Sequence, residues 1–246
     1  MGGNARRTRR STGTETAMDR VRFSVEPLDQ GMSFKAKAYQ ALRHAITQMD
    51  IYGERNEIRL DERHLCEALG VSRTPVREAM ALLEQEGFIR SQPRRGIYVV
   101  RKTKAEIVEM ITVCAALEGM AARLFVERAT DRSVADLEAT FDRFSEGELA
   151  DHVLEYSDAN IAFHQAIIQA SGCNLIADLT DRFFIHMRAI RRVTMRRGRR
   201  AEKSIVEHRE IIEALMNRDA DLAERRVREH TLGLAHFVEN HCDFLD

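Results

Sequence analysis

The stretch LGVSRTPVREAMALLEQEGFI, residues 69–89, decides the fold. Gly70 breaks one helix. Ser72 then offers a hydroxyl at an N-cap, and Pro75 stands in the first turn of the next helix, where its missing N–H costs little. From there Val76, Ala79, Met80, Leu82 and Leu83 recur at helical spacing and form one apolar face. Arg73, Thr74 and Arg77 crowd the helix start on the other side. A short helix over 63–69, a tight turn and a second helix with basic and hydroxyl residues at its start make a helix-turn-helix pattern. In that motif the first residues of the second helix reach base edges in the major groove.

Working outward, a first helix is expected over 34–49, with Tyr39, Leu42, Ile46 and Met49 on its core face. A loop follows over 50–59. Asp61 is placed to cap the helix that carries Leu65 and Leu69 inward. Beyond Gly87, the β-type runs 88–90 and 97–100 flank Pro93-Arg94-Arg95-Gly96 and predict a hairpin wing. Gly96 would permit a tight turn or a close approach to DNA. Residues 1–33, poor in apolar side chains, are read as a disordered tail.

SRTPVREA, LLEQEGFI and PRRGIYVV together resemble the winged helix-turn-helix of GntR-type bacterial transcription regulators, over roughly residues 39–100. The resemblance implies that Arg63, Ser72, Arg73, Thr74, Arg77 and the wing residues Arg95 and Gly96 contact DNA. Arginines there can pair bidentately with guanine or grip phosphate, and the Ser and Thr hydroxyls suit phosphate or either base type. Many relatives carry a Pro-Gly turn in the 50–59 loop. Here the sequence is YGERNEIRL, which changes the loop and leaves the reading helix untouched.

The rest of the chain sets what this reading head is joined to. Residues 1–100 hold 17 Lys+Arg against 13 Asp+Glu, and residues 101–246 hold 21 against 26, so a basic front is joined to an acidic back. The excess at the front is modest, so placed contacts must supply specificity. No apolar run is long enough for a membrane span, and no apolar stretch follows the N-terminal arginines as in a secretory signal. The four cysteines form no C-x-x-C pair, which argues against a disulfide framework or a cysteine zinc site and fits a cytoplasmic protein.

After a basic linker at 101–104, no strand pattern appears from 105 to 246. Six amphipathic helices are expected, over 104–128, 131–146, 149–171, 174–197, 201–217 and 219–243. The absence of proline after Pro93 favours long helices. The fold class is thus mainly α, a winged helix-turn-helix followed by an all-α bundle. Within the bundle Asn160 and His164 lie four apart on one helix face, and His208 and His230 each lie on another helix. Convergence of the three imidazoles with an oxygen ligand would make a divalent-metal site with open positions. From the residues alone, each histidine taken singly is better read as an ordinary surface or core residue.

NIAFHQAI, SGCNLI, EHREIIEALMNRDADLAE and REH, in that order, are similar to the FCD effector domain of the FadR subfamily, over roughly 105–240. That resemblance implies a divalent ion (zinc first, nickel or manganese also) held by Asn160, His164, His208 and His230. Many relatives have Asp where this chain has Asn160, a weaker ligand for a hard cation. The family's effectors are often carboxylates that meet the metal and an arginine four residues before the glutamate of the first domain helix. Cys114 stands at that place, four before Glu118. Arg188 or His186 is the expected substitute for binding the effector. The combined expectation is a homodimeric regulator, a repressor more often than an activator in this family, on a palindromic double-stranded operator. It would respond to a small carboxylate. The rivals are a metal-free pocket in the same regulator, a DNA-binding protein whose helical half only dimerises, and a helical metalloenzyme. Against the enzyme, HEXXH and a Gly-rich phosphate loop are absent.

Overall fold

Local capping chemistry fixes the reading head. In the computed structural model, which describes residues 32–53, 57–141, 144, 152–197 and 199–245, Ser33 caps α1 (Phe34–Gln48) by accepting from the Ala36 N–H. Asp61 caps α2 (Glu62–Leu69) by accepting from Arg63 and His64. Gly70 then ends α2 in the left-handed region at φ 66°, where a side chain would be strained. α3 (Arg73–Gln85) follows and buries Val76, Ala79, Met80 and Leu83. Ser72 occupies its N-cap with extended backbone, but its hydroxyl makes no capping bond. Pro75, three residues on, is the third helical residue and has no N–H to give, which removes one of the two donors such a cap can use. The expected hydroxyl cap is absent, and Ser72 is exposed. All but Met32 and Ser33 of the expected N-terminal tail lies outside the described residues.

The wing is a three-stranded antiparallel sheet in the order β1-β3-β2, made of β1 (Arg59–Leu60), β2 (Ile89–Gln92) and β3 (Gly96–Val99). The hairpin is the expected one. Arg59, read as the end of a loop, instead starts β1 and pairs with Tyr98, while Leu60 pairs with Ile97. Two residues are too few to show a period of two in sequence. At Gly96, φ is 122° and a Cβ would lie 2.8 Å from Arg59 Nε, so the glycine gives Arg59 its room.

Thr103 and Glu106 form a capping box that starts α4 (Lys104–Arg128) directly after the wing. α5 (Asp131–Ala139), α6 (Val153–Ala170), α7 (Asn174–Met195), α8 (Arg200–Met216) and α9 (Ala220–His241) complete the bundle, with a short 3-10 turn at Asp243–Leu245. The helix expected over 131–146 stops at Ala139, where Thr140 and Phe141 turn. Its last residues, Phe144 apart, and the expected helix start at 149–151 lie outside the described residues. α4 and α9 run closely side by side; a Cβ on Gly119 would come within 3.2 Å of the Glu224 carbonyl oxygen.

One apolar core does not stop at the linker. Leu42, Ile46, Leu65, Leu83 and Val99 of the reading head share a cluster with Ile107, Ile111, Ile190 and Val238 of the bundle. A second cluster around Phe125, Tyr156, Phe163 and Ile205 fills the far end. Polar contacts reinforce the first seam. The Tyr52 hydroxyl accepts from the Lys102 N–H and lies 2.8 Å from His186 Nδ1. The phenol proton is thus free for that nitrogen, which needs a neutral imidazole. Burial and Lys102, against the pull of Glu106, push the His186 pKa down to about 4. An unfolded histidine titrates near ~6.5. A depressed folded value means this stabilisation is complete above the unfolded pKa and is lost as pH falls towards the folded one. Between pH ~7 and ~4.5, urea titrations of wild type should therefore lose about 2–3 kcal/mol more than those of His186→Gln, at ~1.4 kcal/mol per pH unit. Parallel curves for the two proteins would contradict the neutral His186 contact.

Candidate metal centre in the helical domain

Helical periodicity gathers the site. Tyr156, Asn160 and His164 follow at intervals of four on α6, and Arg200, Ser204 and His208 do the same on α8. His230 comes from α9, Glu118 from α4 and Arg191 from α7. One ring nitrogen from each of His164, His208 and His230 lies within 4.8 Å of the others, and all three residues are buried. His164 Nε2 and His208 Nε2 are 3.4 Å apart.

What surrounds the rings sets which nitrogen faces inward. His230 Nδ1 is 2.8 Å from Glu207 Oε2. His208 Nδ1 is 2.9 Å from the Tyr156 hydroxyl, whose own proton goes to Ser204 Oγ. His164 Nδ1 is 3.1 Å from Glu118 Oε2, close enough to pair though off the straight hydrogen-bond line. A carboxylate only accepts, and the Tyr156 oxygen has already spent its proton, so each Nδ1 is the donor. The three Nε2 atoms are then left with lone pairs that face one another. Burial, followed by the neighbouring histidines and cations, holds His208 and His230 well below the usual histidine range. Burial and Arg191 also lower His164, against the pull of Glu118. Protons are thus a poor remedy for this convergence, and a divalent cation is a good one.

Asn160 is the candidate for the oxygen ligand. The residue is 0% exposed, its Nδ2 donates to Ser204 Oγ at 3.2 Å, and its Oδ1 has no hydrogen-bond partner. A buried amide oxygen left unpaired costs about 1–3 kcal/mol, so its presence here fits a missing electrophile. Three imidazoles and one neutral oxygen suit zinc better than a hard oxygen-seeking ion. Phe141 stacks on His208 at 4.6 Å and walls one side of the cluster.

Glu118 and Glu207, the two carboxylates that orient rings, were not singled out as such by sequence reasoning, although Glu207 directly precedes His208. Burial raises the Glu118 pKa, but His164, Arg191 and Thr231 outweigh it and bring it to about 2, so it stays ionised. Arg191 was also missed. Helical phase could have found it, because Phe184, Met187, Arg191 and Thr194 follow at spacings of three and four on the inward face of α7. By contrast, Arg188 and His186 find other partners. Arg188 Nη2 donates to Asp158 Oδ1 at 2.9 Å and Gln48 Oε1 at 3.0 Å, and His186 meets Tyr52. Both serve the seam with the reading head rather than the histidine cluster. Cys114 is buried, and burial together with Glu118 pushes its thiol up, which makes it unreactive.

On the reading head, Ser72, Arg73, Thr74 and Arg77 are exposed on the opening turns of α3. Both oxygens of Glu62 hold Arg77 Nε at 2.9 Å, and Glu67 holds Arg63 Nε at 3.0 Å. Arg95 is exposed in the wing turn, beside Arg94 at φ 64° and before Gly96.

Comparison with known proteins agrees with this anatomy. The FCD domain model matches residues 109–233, and the model of bacterial regulatory proteins of the gntR family matches residues 34–99. The HTH-type transcriptional regulator YdhC of Bacillus subtilis is 29% identical over 192 residues, which cover 76% of this chain and 81% of that protein. The HTH-type transcriptional repressor RspR of Escherichia coli K12 is 26% identical over 171 residues, 70% of this chain and 75% of its own. The Glc operon transcriptional activator of the same organism is 27% identical over 191 residues, with 69% and 75% covered. A solved GntR regulator from Rhodococcus sp. RHA1 shares the fold at TM-score 0.70 and 23% identity, over 85% of this chain and 99% of that one. With both models matched in order along one chain, this protein belongs to the GntR family of bacterial transcription regulators and carries an FCD domain behind its DNA-binding helix-turn-helix.

Proposed function

We propose that this regulator reads a palindromic operator as a homodimer and holds a divalent metal, zinc first, in its helical domain, where a small carboxylate effector is sensed. The observation that carries the reading is the buried convergence of His164, His208 and His230 beside the unpaired Asn160 Oδ1. When bound, the ion would supply a Lewis-acidic point for an anionic group. The chain's own residues do the rest: Glu207, Tyr156 and Glu118 orient the rings, and Phe141 and Phe163 keep the site dry. A cleft of about 500 Å³ between α8 and α9 touches His230 and Glu207 from outside and offers a route inward.

Ser72, Arg73, Thr74 and Arg77 would enter the major groove, with Arg63, Arg95 and Gly96 on the flanking backbone. The Ser72 hydroxyl, freed from capping by Pro75, suits a phosphate. Val113 and Met120 on α4 and Leu175 and Leu179 on α7 are exposed apolar side chains that support self-association through the helical domain. Effector binding reaches the reading head through α6 and α7. Asp158, two residues from Asn160, binds Arg188 and Arg192, and both arginines grip Gln48 at the end of α1. The ligand changes operator affinity only through its unequal affinity for the two placements of the heads. We take repression as the direction, by likeness to RspR; the activator among the relatives makes a reporter assay decisive.

Two outcomes test this reading. Arg73→Ala should weaken operator binding by about 5- to 150-fold, as about 1–3 kcal/mol for a lost base contact implies, while dimer mass in sedimentation is unchanged. Unaltered operator affinity would remove Arg73 from the interface. Glu207→Gln should weaken zinc binding 10–100-fold in a competition titration with a chromophoric chelator, because His230 loses its charged orienting partner. Wild-type zinc affinity in that variant would count against the site.

A further inference from the structure

The charges packed around the histidines specify the effector more closely than the word carboxylate does. Arg191 is 1% exposed, and neither Nη1 nor Nη2 has a hydrogen-bond partner. An arginine fork buried with both tips free is costly in isolation and is built to take an oxyanion bidentately. It lies among the site's own groups, since its charge is felt by Glu118, Cys114, Tyr156 and each of the three histidines. Cys114 is the small residue at the place where the family resemblance leads one to expect an arginine on α4. Here the cation instead comes across from α7.

The number of charges matters as much as their place. Arg200, 4% exposed, pairs with Glu207 at 3.2 Å, and Arg191 is offset by Glu118. Lys203, 3.5 Å from Glu207, is mostly exposed and its charge is met by solvent, so the buried protein charges at the site cancel, with the histidines neutral and Asn160 contributing none. A divalent ion would leave the buried site with two positive charges unbalanced. An aspartate at position 160 would leave one. Burying net charge is expensive, so the occupant that closes the site best carries two negative charges.

We propose that the effector is a small dicarboxylate, that Arg191 is its specificity-determining anchor, and that the neutral Asn160 sets the preference for two charges over one. This rests on the metal reading above. The test uses the full chain loaded with zinc, titrated calorimetrically with malonate, succinate, acetate and butyrate, with zinc content measured on each sample afterwards. Malonate or succinate should bind at least tenfold more tightly than either monoanion. Arg191→Gln should weaken dicarboxylate binding at least tenfold with zinc content unchanged. Arg191→Lys, which keeps the charge and loses the fork, should keep the preference at lower affinity. Asn160→Asp should retain zinc and reduce the dicarboxylate-to-monocarboxylate ratio at least tenfold, a change of ratio that a merely structural role would not produce. Equal or tighter binding of acetate or butyrate by wild type, no binding of either dicarboxylate, or an unchanged ratio in Asn160→Asp would overturn the proposal while the metal reading stands. A wild type that takes up no zinc would overturn both, and the zinc measurement tells the two failures apart.

Discussion

Three imidazoles on three helices turn their Nδ1 atoms to fixed acceptors, and so turn their lone pairs on one another. His164 faces Glu118, His208 faces Tyr156, and His230 faces Glu207. Burial and neighbouring cations keep all three rings short of protons. This convergence is unfavourable unless something positive sits within it. The packing of α4, α6, α7, α8 and α9 around one point is therefore organised by a demand for charge as well as by the apolar core. Asn160 makes the same demand with an unpaired oxygen, and Arg191 makes the opposite one with an unpaired fork. A site that asks for a cation at one point and an anion at another is pre-organised for both together.

The same helices reach the reading head, which is what makes the site useful to a regulator. Arg191 points into the bundle from α7, while His186, Arg188 and Arg192 on the same helix meet Tyr52, Gln48 and Asp158. Leu42 and Ile46 of the head lie in one apolar cluster with Ile190 and Val238 of the bundle. A close-packed seam of this kind moves between discrete arrangements rather than stretching. Displacement of α6 or α7 at the site would thus be passed to α1 as a change of placement.

Much of the fold was legible because the signals were local. Asp61, Gly70 and the period of Val76, Ala79 and Met80 are backbone chemistry written over a few residues, and α1, α2, α3 and the wing hairpin follow from them. β1 was not legible, since two residues carry no period. The Ser72 cap misled because Pro75 takes away one of the two donors open to it. In the site, the histidines came from family resemblance, and spacing could show only that Asn160 and His164 share a face. The expected effector residues were Arg188 and His186; Arg188 lies with Arg192 on the seam, and Arg191, three residues beyond Arg188, is the arginine that is buried. Three arginines within five residues look alike until the helix is placed against its neighbours.

The three converging ring nitrogens of His164, His208 and His230 are proposed to hold a metal. X-ray absorption at the zinc edge, on protein purified without added metal or chelator and then brought to one equivalent of zinc, tests it most directly. The expected spectrum shows nitrogen and oxygen neighbours only, at ~2.0–2.1 Å, with the multiple-scattering pattern of about three imidazoles and no sulfur at ~2.3 Å. A shell containing sulfur, fewer than two imidazoles, or zinc that washes away without an ordered shell would contradict it.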